Sequence, residues 1–251
     1  MVTGFNSFKK HFSAYAEQYT IIGGTACDLL MAENGIDFRA TKDIDMVLII
    51  EALTAEFGTA FWNYITEAGY EHKNKSTGEP QFYRFSNPIS HEYPAMIELF
   101  SRNVDAIPLP NDAVLTPLPL DDELSSLSAI LMDSEYYQFM QQGKVIVDGI
   151  PVLDEYHLIP FKAKAFLDLT ARKAAGEAVD SKNIKKHKND VFRLSLLLTD
   201  ELHIELSAGI SNDMREFFTQ IENEDVDMKS LGLRNLKKED ILSRLRDLYI
   251  V

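Results

Sequence analysis

The chain has a single cysteine, Cys27, in 251 residues, so no intramolecular disulfide can staple it and a reducing compartment is expected. No window approaches about 18 uninterrupted apolar residues. Met1 to Lys10 lacks the basic start and apolar run of a signal peptide, so an uninserted, cytoplasmic protein with no membrane partner is expected. Internal repeats and low-complexity tracts are absent, which excludes solenoid arrays and long linkers. Positive charge is in deficit: 25 Lys and Arg face 39 Asp and Glu, a net charge of −14. A surface that grips nucleic acid all over is thereby excluded, because phosphates would be repelled. The histidines, at 11, 72, 91, 157, 187 and 203, share no zinc-ligand spacing with one another or with Cys27, so no zinc is expected. No Gly-x-x-x-x-Gly-Lys sequence and no serine in a nucleophile-elbow context occurs, which excludes P-loop and α/β-hydrolase chemistry.

What is present is enough apolar material, 45% of residues, for a sizeable core in one or two domains. Tyr19 to Ile22 is a short β-branched run stopped by Gly23-Gly24, the pattern of a buried strand ending in a tight turn, and a helix should follow from about Thr25 to Glu33. Ile44 to Ile50 predicts a second strand and Leu53 to Ala68 a helix ending at Gly69. Gln81 to Phe85 alternates like a strand, and Ala95 to Phe100 predicts another. Four prolines between Asn103 and Pro119 forbid long regular structure there. Asp148-Gly149 between two β-branched runs signals a hairpin. Helical periodicity then dominates: Pro160 to Ala174 with Gly176 as a stop, Ser181 to Leu198 with Ser181 as the cap, Asp213 to Asn223, and Lys237 to Tyr249. The expected class is α+β: a mixed β-sheet with flanking helices over 1–153, followed by a helical bundle over 154–251. Phe61, Trp62, Tyr64 and Ile65 are assigned to packing, and Cys27 is expected to be a buried, inert thiol.

The chemistry is concentrated in Ile21-Ile-Gly-Gly-Thr-Ala26 and Arg39-Ala-Thr-Lys-Asp-Ile-Asp45. Side chains alternate along a strand, so Asp43 and Asp45 project to the same side. Like charges this close repel unless a cation lies between them, and hard oxygen ligands suit Mg²⁺, which also takes phosphate oxygens. An Asp-x-Asp alone is common at exposed strand ends. Here it is joined to Gly23-Gly24, whose backbone N–H groups at a helix N-terminus can face a phosphate, with Thr25 offering a hydroxyl donor. Glu98 stands in the apolar run Met96 to Phe100, where it is costly unless paired, metal-bound or facing a cleft. The alternative is an edge strand with Glu98 in solvent; Asp105 is a weaker substitute. Lys162 to Arg193 carries nine Lys and Arg against four Asp and Glu, either a solvated face or a phosphate-facing one. Within it Asp190 lies three residues from both His187 and Arg193, and could orient either. Lys164 with Asp168, and Asp168 with Arg172, are ordinary i,i+4 pairs.

These residues resemble the nucleotidyltransferase superfamily pattern of a glycine turn, a paired-acid strand and a later single acid. More narrowly, the chain is similar to AbiEii-type toxin nucleotidyltransferases in Gly23-Gly24-Thr25-Ala26, Arg39-x-Thr41-x-Asp43-Ile44-Asp45, Lys164 to Arg172, and His187-Lys188-x-Asp190-Val-x-Arg193-Leu194. The resemblance spans Tyr19 to Arg102 and Pro160 to Leu198. It implies a nucleotidyltransferase-like sheet and transfer of a nucleoside monophosphate from an NTP to an acceptor hydroxyl of RNA (tRNA included), protein or a small molecule. It further implies Mg²⁺ (or Mn²⁺) held by Asp43, Asp45 and Glu98; catalytic roles for these acids and for Lys164, Lys188 and Asp190; and nucleotide contacts from Gly23, Gly24, Thr25, Arg39, Arg172 and Arg193. A place in a toxin–antitoxin or phage-defence system, with a cognate antitoxin protein, is implied as well. The competing expectation is a non-catalytic nucleotide-binding or partner-binding module with the same fold.

Overall fold

The computed structural model describes residues 2–72, 81–101, 127, 130–199 and 202–251; the proline-rich stretch, Asp105 included, lies outside them. A seven-stranded mixed sheet carries the first unit, in the order β3-β4-β5-β2-β1-β7-β6. Its strands are β1 (Tyr19–Ile22), β2 (Asp43–Leu48), β3 (Glu71–His72), β4 (Gln81–Ser86), β5 (Met96–Ser101), β6 (Lys144–Val147) and β7 (Ile150–Leu153). β2 runs antiparallel to β1 and parallel to β5. Asp148 and Gly149, both at positive φ, make the β6–β7 turn, as the Asp-Gly signal requires. Helices α1 (Phe5–Phe12), α2 (Gly23–Glu33) and α3 (Ala55–Glu67) complete this unit.

Strand alternation divides the sheet's faces. Tyr19, Ile21, Met46, Leu99, Ile97 and Phe85 share one face by register and are all at most 2% exposed. Rings from α1 and α3 pack there: Phe12 and Phe61 lie 6.0 Å apart, Tyr19 stacks on Phe57 at 6.2 Å, and Phe85 meets Phe61 and Trp62 edge-on at 5.4 and 5.9 Å. Tyr64 and Ile65 are also buried, so this stretch is core, and Cys27 is a buried free thiol. The intervening positions, Asp43, Asp45, Glu98 and Arg84, therefore emerge on the opposite face. β5 is an interior strand between β4 and β2, which removes the edge-strand alternative for Glu98.

The second unit is helical: α4 (Ser134–Gln142), α5 (Glu155–Ala174), α6 (Ser181–Leu194), α7 (Ala208–Glu222) and α8 (Lys238–Tyr249). α5 touches α4, α6 and α7, and α7 also touches α4 and α8. The compact units are Met1–Leu120 with Lys144–Asp154, and Asp121–Gly143 with Glu155–Val251. α4 thus belongs with the later helices although it precedes the hairpin. No helix of the described residues is long and apolar enough to cross a membrane.

Several boundaries differ from expectation for identifiable reasons. α6 is capped by Asp180, whose side chain accepts from Lys182 N, and Ser181 is the first helical residue. It ends at Leu194 in a 3₁₀ turn, Ser195–Leu197, short of Leu198. α7 starts at Ala208, capped by Ser207 accepting from Ile210 N, five residues before the expected Asp213. α5 starts at Glu155 and carries Pro160 inside it. A proline there leaves the carbonyl of residue i−4, Tyr156, without its helical N–H. The Tyr249 hydroxyl of α8 donates to Tyr156 O at 2.7 Å and supplies the missing bond.

Tyr249→Phe should therefore cost about 1–2 kcal/mol in urea unfolding, the range for a buried carbonyl left unpaired. In a Pro160→Ala background, where residue 160 regains an N–H, the same change should cost measurably less.

Candidate active site

β1 ends where Gly23 takes φ +71, a conformation that costs a side-chain-bearing residue energy. A Cβ at Gly23 would fall 1.7 Å from Asp45 Oδ2, so glycine is required both by the turn and by the carboxylate laid against it. At Gly24 a Cβ would lie 2.9 Å from Thr41 Cγ2 and 3.3 Å from an Arg39 guanidinium nitrogen. The Arg39 guanidinium also sits over the Phe38 ring at 5.1 Å. α2 opens at this corner with Ile22 as its N-cap, no side-chain cap bond and no acidic residue in its first turn. The helix's own first turn therefore leaves its N-terminal dipole unanswered, and the Asp45 carboxylate is the anionic group that lies against it.

Thr25 is 1% exposed and donates its hydroxyl to Asp43 O at 2.5 Å. The expected phosphate-facing hydroxyl is instead a tie between the glycine corner and the start of the acid strand. Thr41 Oγ1 is buried without a hydrogen-bond partner beside the same corner. The 18 residues between Gly24 and Asp43 are filled by α2 and a return segment that brings β2 back antiparallel to β1, with Ile22 opposite Asp45.

Across β2 and β5, Asp45 is the register partner of Glu98; across β5 and β4, Glu98 is the partner of Arg84. The three side chains form one row on one face. Glu98 is 7% exposed, hydrogen-bonds with Asp45, and accepts from Arg84 Nε at 2.8 Å, with Arg84 Nη2 at 2.6 Å from the same Oε1. Burial pushes the Glu98 carboxyl up to about 9, with the Asp45 charge and hydrogen bond adding to it; Arg84 opposes the shift and is outweighed. Asp43, on the same face two residues before Asp45, is the register partner of Met96. Among the described residues no group of three or more His, Cys, Asp or Glu side chains is placed to hold a metal ion. Asp45 and Glu98 are brought side by side, without a ready-made three-acid cage.

The remaining residues singled out by sequence lie in the helical unit. Asp190, fully buried, is 3.3 Å from Lys162 Nζ and 3.6 Å from Arg193 Nη1. Lys164 pairs with Asp213 at 2.8 Å, the Asp213 carboxylate also accepting from Tyr136 at 3.0 Å; Lys164 is not bonded through the expected i,i+4 geometry with Asp168. Arg172 does lie 3.9 Å from Asp168 and bonds Glu177 at 2.8 Å. Lys188 is buried and donates to Glu224 and, at 3.4 Å, to Asp225 O. Two partners were missed from sequence. Arg84 sits in an alternating strand whose register with β5 is a non-local property. Lys162 looked like one more member of a charged run, although its place in an apolar helical stretch signals burial.

The raised Glu98 carboxyl makes stability pH-dependent with a definite sign. Its unfolded value is near 4.5, so between there and about 9 the folded state holds the extra proton and loses stability as pH rises. Urea-unfolding free energy should fall from pH 5 to 9, and Glu98→Gln should flatten that slope. Parallel curves for the two proteins would mean that Glu98 is ionised throughout.

No protein-family model and no curated protein matches the sequence. Among solved structures, an antigenic nucleotidyltransferase-like protein from Paracoccidioides brasiliensis is similar at 15% identity and a TM-score of 0.44, over 95% of this chain and 97% of that one. The antibiotic-resistance factor ANT(2'')-Ia is similar at 10% identity and a TM-score of 0.37, over 88% and 95%. The Megavirus polyadenylate synthase is similar at 10% identity and a TM-score of 0.41, over 88% of this chain and 36% of its own.

Proposed function

We propose that this chain is a divalent-cation-dependent nucleotidyltransferase that moves a nucleoside monophosphate from an NTP to an acceptor hydroxyl, releasing pyrophosphate. The observation that carries it is the contact of Asp45 and Glu98 on adjacent parallel strands, with the Asp45 carboxylate against Gly23 at the start of α2. The donor chemistry fits a hard cation, since two carboxyls forced together in a buried place are what such an ion relieves. Asp43, Asp45 and Glu98 would hold Mg²⁺ or Mn²⁺, which when bound supplies Lewis-acid stabilisation of phosphoryl oxygens.

The chain's own groups supply the rest. Backbone N–H groups at Gly23 and Gly24 and the Arg39 guanidinium bind and orient the triphosphate. Glu98, freed of its proton when the cation binds, would accept the proton of the acceptor hydroxyl. The resemblance adds roles for Lys164, Lys188, Arg172 and Arg193 in neutralising phosphate charge, with Asp190 as a positioning residue for Arg193. The resemblance to AbiEii-type toxins extends the proposal to an RNA acceptor, tRNA included, and to a cognate antitoxin; protein and small-molecule acceptors fit the same chemistry.

A second reading, a non-catalytic nucleotide-binding or partner-binding module, is favoured by two observations: Glu98 is held by Arg84, and no three-acid metal cage is assembled among the described residues.

Incubation with labelled NTPs, Mg²⁺ and total tRNA should give incorporation by the native chain and none by the Asp43→Ala, Asp45→Ala double variant. Equal incorporation by both would eliminate the assigned chemistry. Nucleotide binding with no transfer to RNA, protein or small molecules would favour the module. Lys188→Ala should lower NTP turnover far more than Lys173→Ala. If Lys188→Ala lowers only the melting temperature, its pairing with Glu224 is purely structural.

A further inference from the structure

We propose that Arg84 is a built-in counter-cation of the acid pair, occupying Glu98 until a divalent ion displaces it, and so setting how tightly the site takes metal. The inference rests on the assignment of Asp45 and Glu98 as cation ligands made above. Arg84 Nε and Nη2 converge on a single oxygen, Glu98 Oε1, at 2.8 and 2.6 Å. On the neighbouring strand Asp45 is the register partner of the same residue. A cation that ligates Glu98 through Oε1 must therefore compete with an N–H donor for an oxygen already in use.

The competition is fixed by the backbone. Arg84 and Glu98 are register partners on antiparallel strands, so every folded molecule delivers this guanidinium to this carboxylate. The exposures differ in the way a displaceable ion requires: the Glu98 side chain is 9% exposed and that of Arg84 25%. The acid stays in place while the longer, wetter side chain has a solvent side to move toward. A displaced guanidinium is also suited to a phosphate, which offers it the same forked acceptor geometry as a carboxylate. An NTP arriving with its metal supplies both replacements at once: a cation for Glu98 and an anion for Arg84. Metal alone supplies only the first, so the native site should be a poor binder of free divalent ions and a better one when a triphosphate is present.

The test is a Mn²⁺ titration, read by the loss of the free-ion paramagnetic resonance signal, on the native chain, Arg84→Met, Arg84→Lys and Asp45→Ala, with and without a non-hydrolysable NTP. Arg84→Met should bind free Mn²⁺ about tenfold more tightly than the native chain, the effect of removing one positive charge from beside the cation. Arg84→Lys, which keeps the charge, should stay near the native value. The tightening should shrink when the NTP analogue is present. Stoichiometry is read separately from affinity, so partial misfolding of a variant lowers the number of sites without hiding their strength. Equal or weaker Mn²⁺ binding by Arg84→Met would overturn the proposal, since the guanidinium would then not be competing with the cation for Glu98. Mn²⁺ binding that survives unchanged in Asp45→Ala would sink the cation-site assignment itself. Tighter binding by Arg84→Met with no nucleotide incorporation by any of the proteins would leave this inference standing and remove the proposed transfer.

Discussion

Two carboxyl groups and a guanidinium share one row across three strands, and a buried carboxylate without a counter-charge would cost several kcal/mol. That cost is met by geometry. Asp45, Glu98 and Arg84 meet because β2, β5 and β4 are in the observed register, and a slip of one residue would turn all of them into the aromatic layer beneath α1 and α3. The same register presses Asp45 against Gly23, so the glycine corner and the acid row are one construction rather than two neighbouring motifs. Thr25 fastens them from behind through the Asp43 carbonyl.

The helical unit handles charge in a different manner. Lys162, Lys164, Arg172, Lys188 and Arg193 each lie against a carboxylate, so much of the local positive excess is already engaged. Asp190 is the extreme case: fully buried, it is tolerated because Lys162 from α5 and Arg193 from its own helix approach it together. A run of charge in sequence is thus partly a set of internal ties between helices, and any phosphate that enters must offer these cations more than their present partners do.

Most elements of the sheet could be read from local signals, because strand and turn chemistry act within a few residues: the β-branched run before Gly23-Gly24, the acid pair opening β2, the Asp148-Gly149 turn. The approach of Glu98 to Asp45 was legible as well, since an acid inside an apolar strand needs a reason. Arg84 was not, because only the pairing of β4 with β5 makes it special. α1 went unread although Phe5, Phe8 and Phe12 have helical spacing; their meaning comes from the aromatic layer they join, with the Phe8 and Phe12 rings tilted against each other at 4.6 Å. Pro160 misled for the opposite reason. The rule that proline opens a helix is sound, and it was overridden by a hydroxyl 93 residues away in sequence.

The connectivity of the two units has a practical consequence. The chain leaves the sheet, builds α4, returns for the β6–β7 hairpin, and then completes the helices. β7 is the parallel neighbour of β1 and β6 is the edge strand beyond it, so the hairpin completes one side of the sheet and is not an appendage. No single cut yields two intact halves. A fragment stopping after the hairpin strands Tyr136, Phe139 and Met140 of α4 in water, and one stopping before α4 forfeits two strands. Dissection of this protein calls for a circularly rearranged chain or an internal deletion bridged across the α4 ends, rather than conventional truncation.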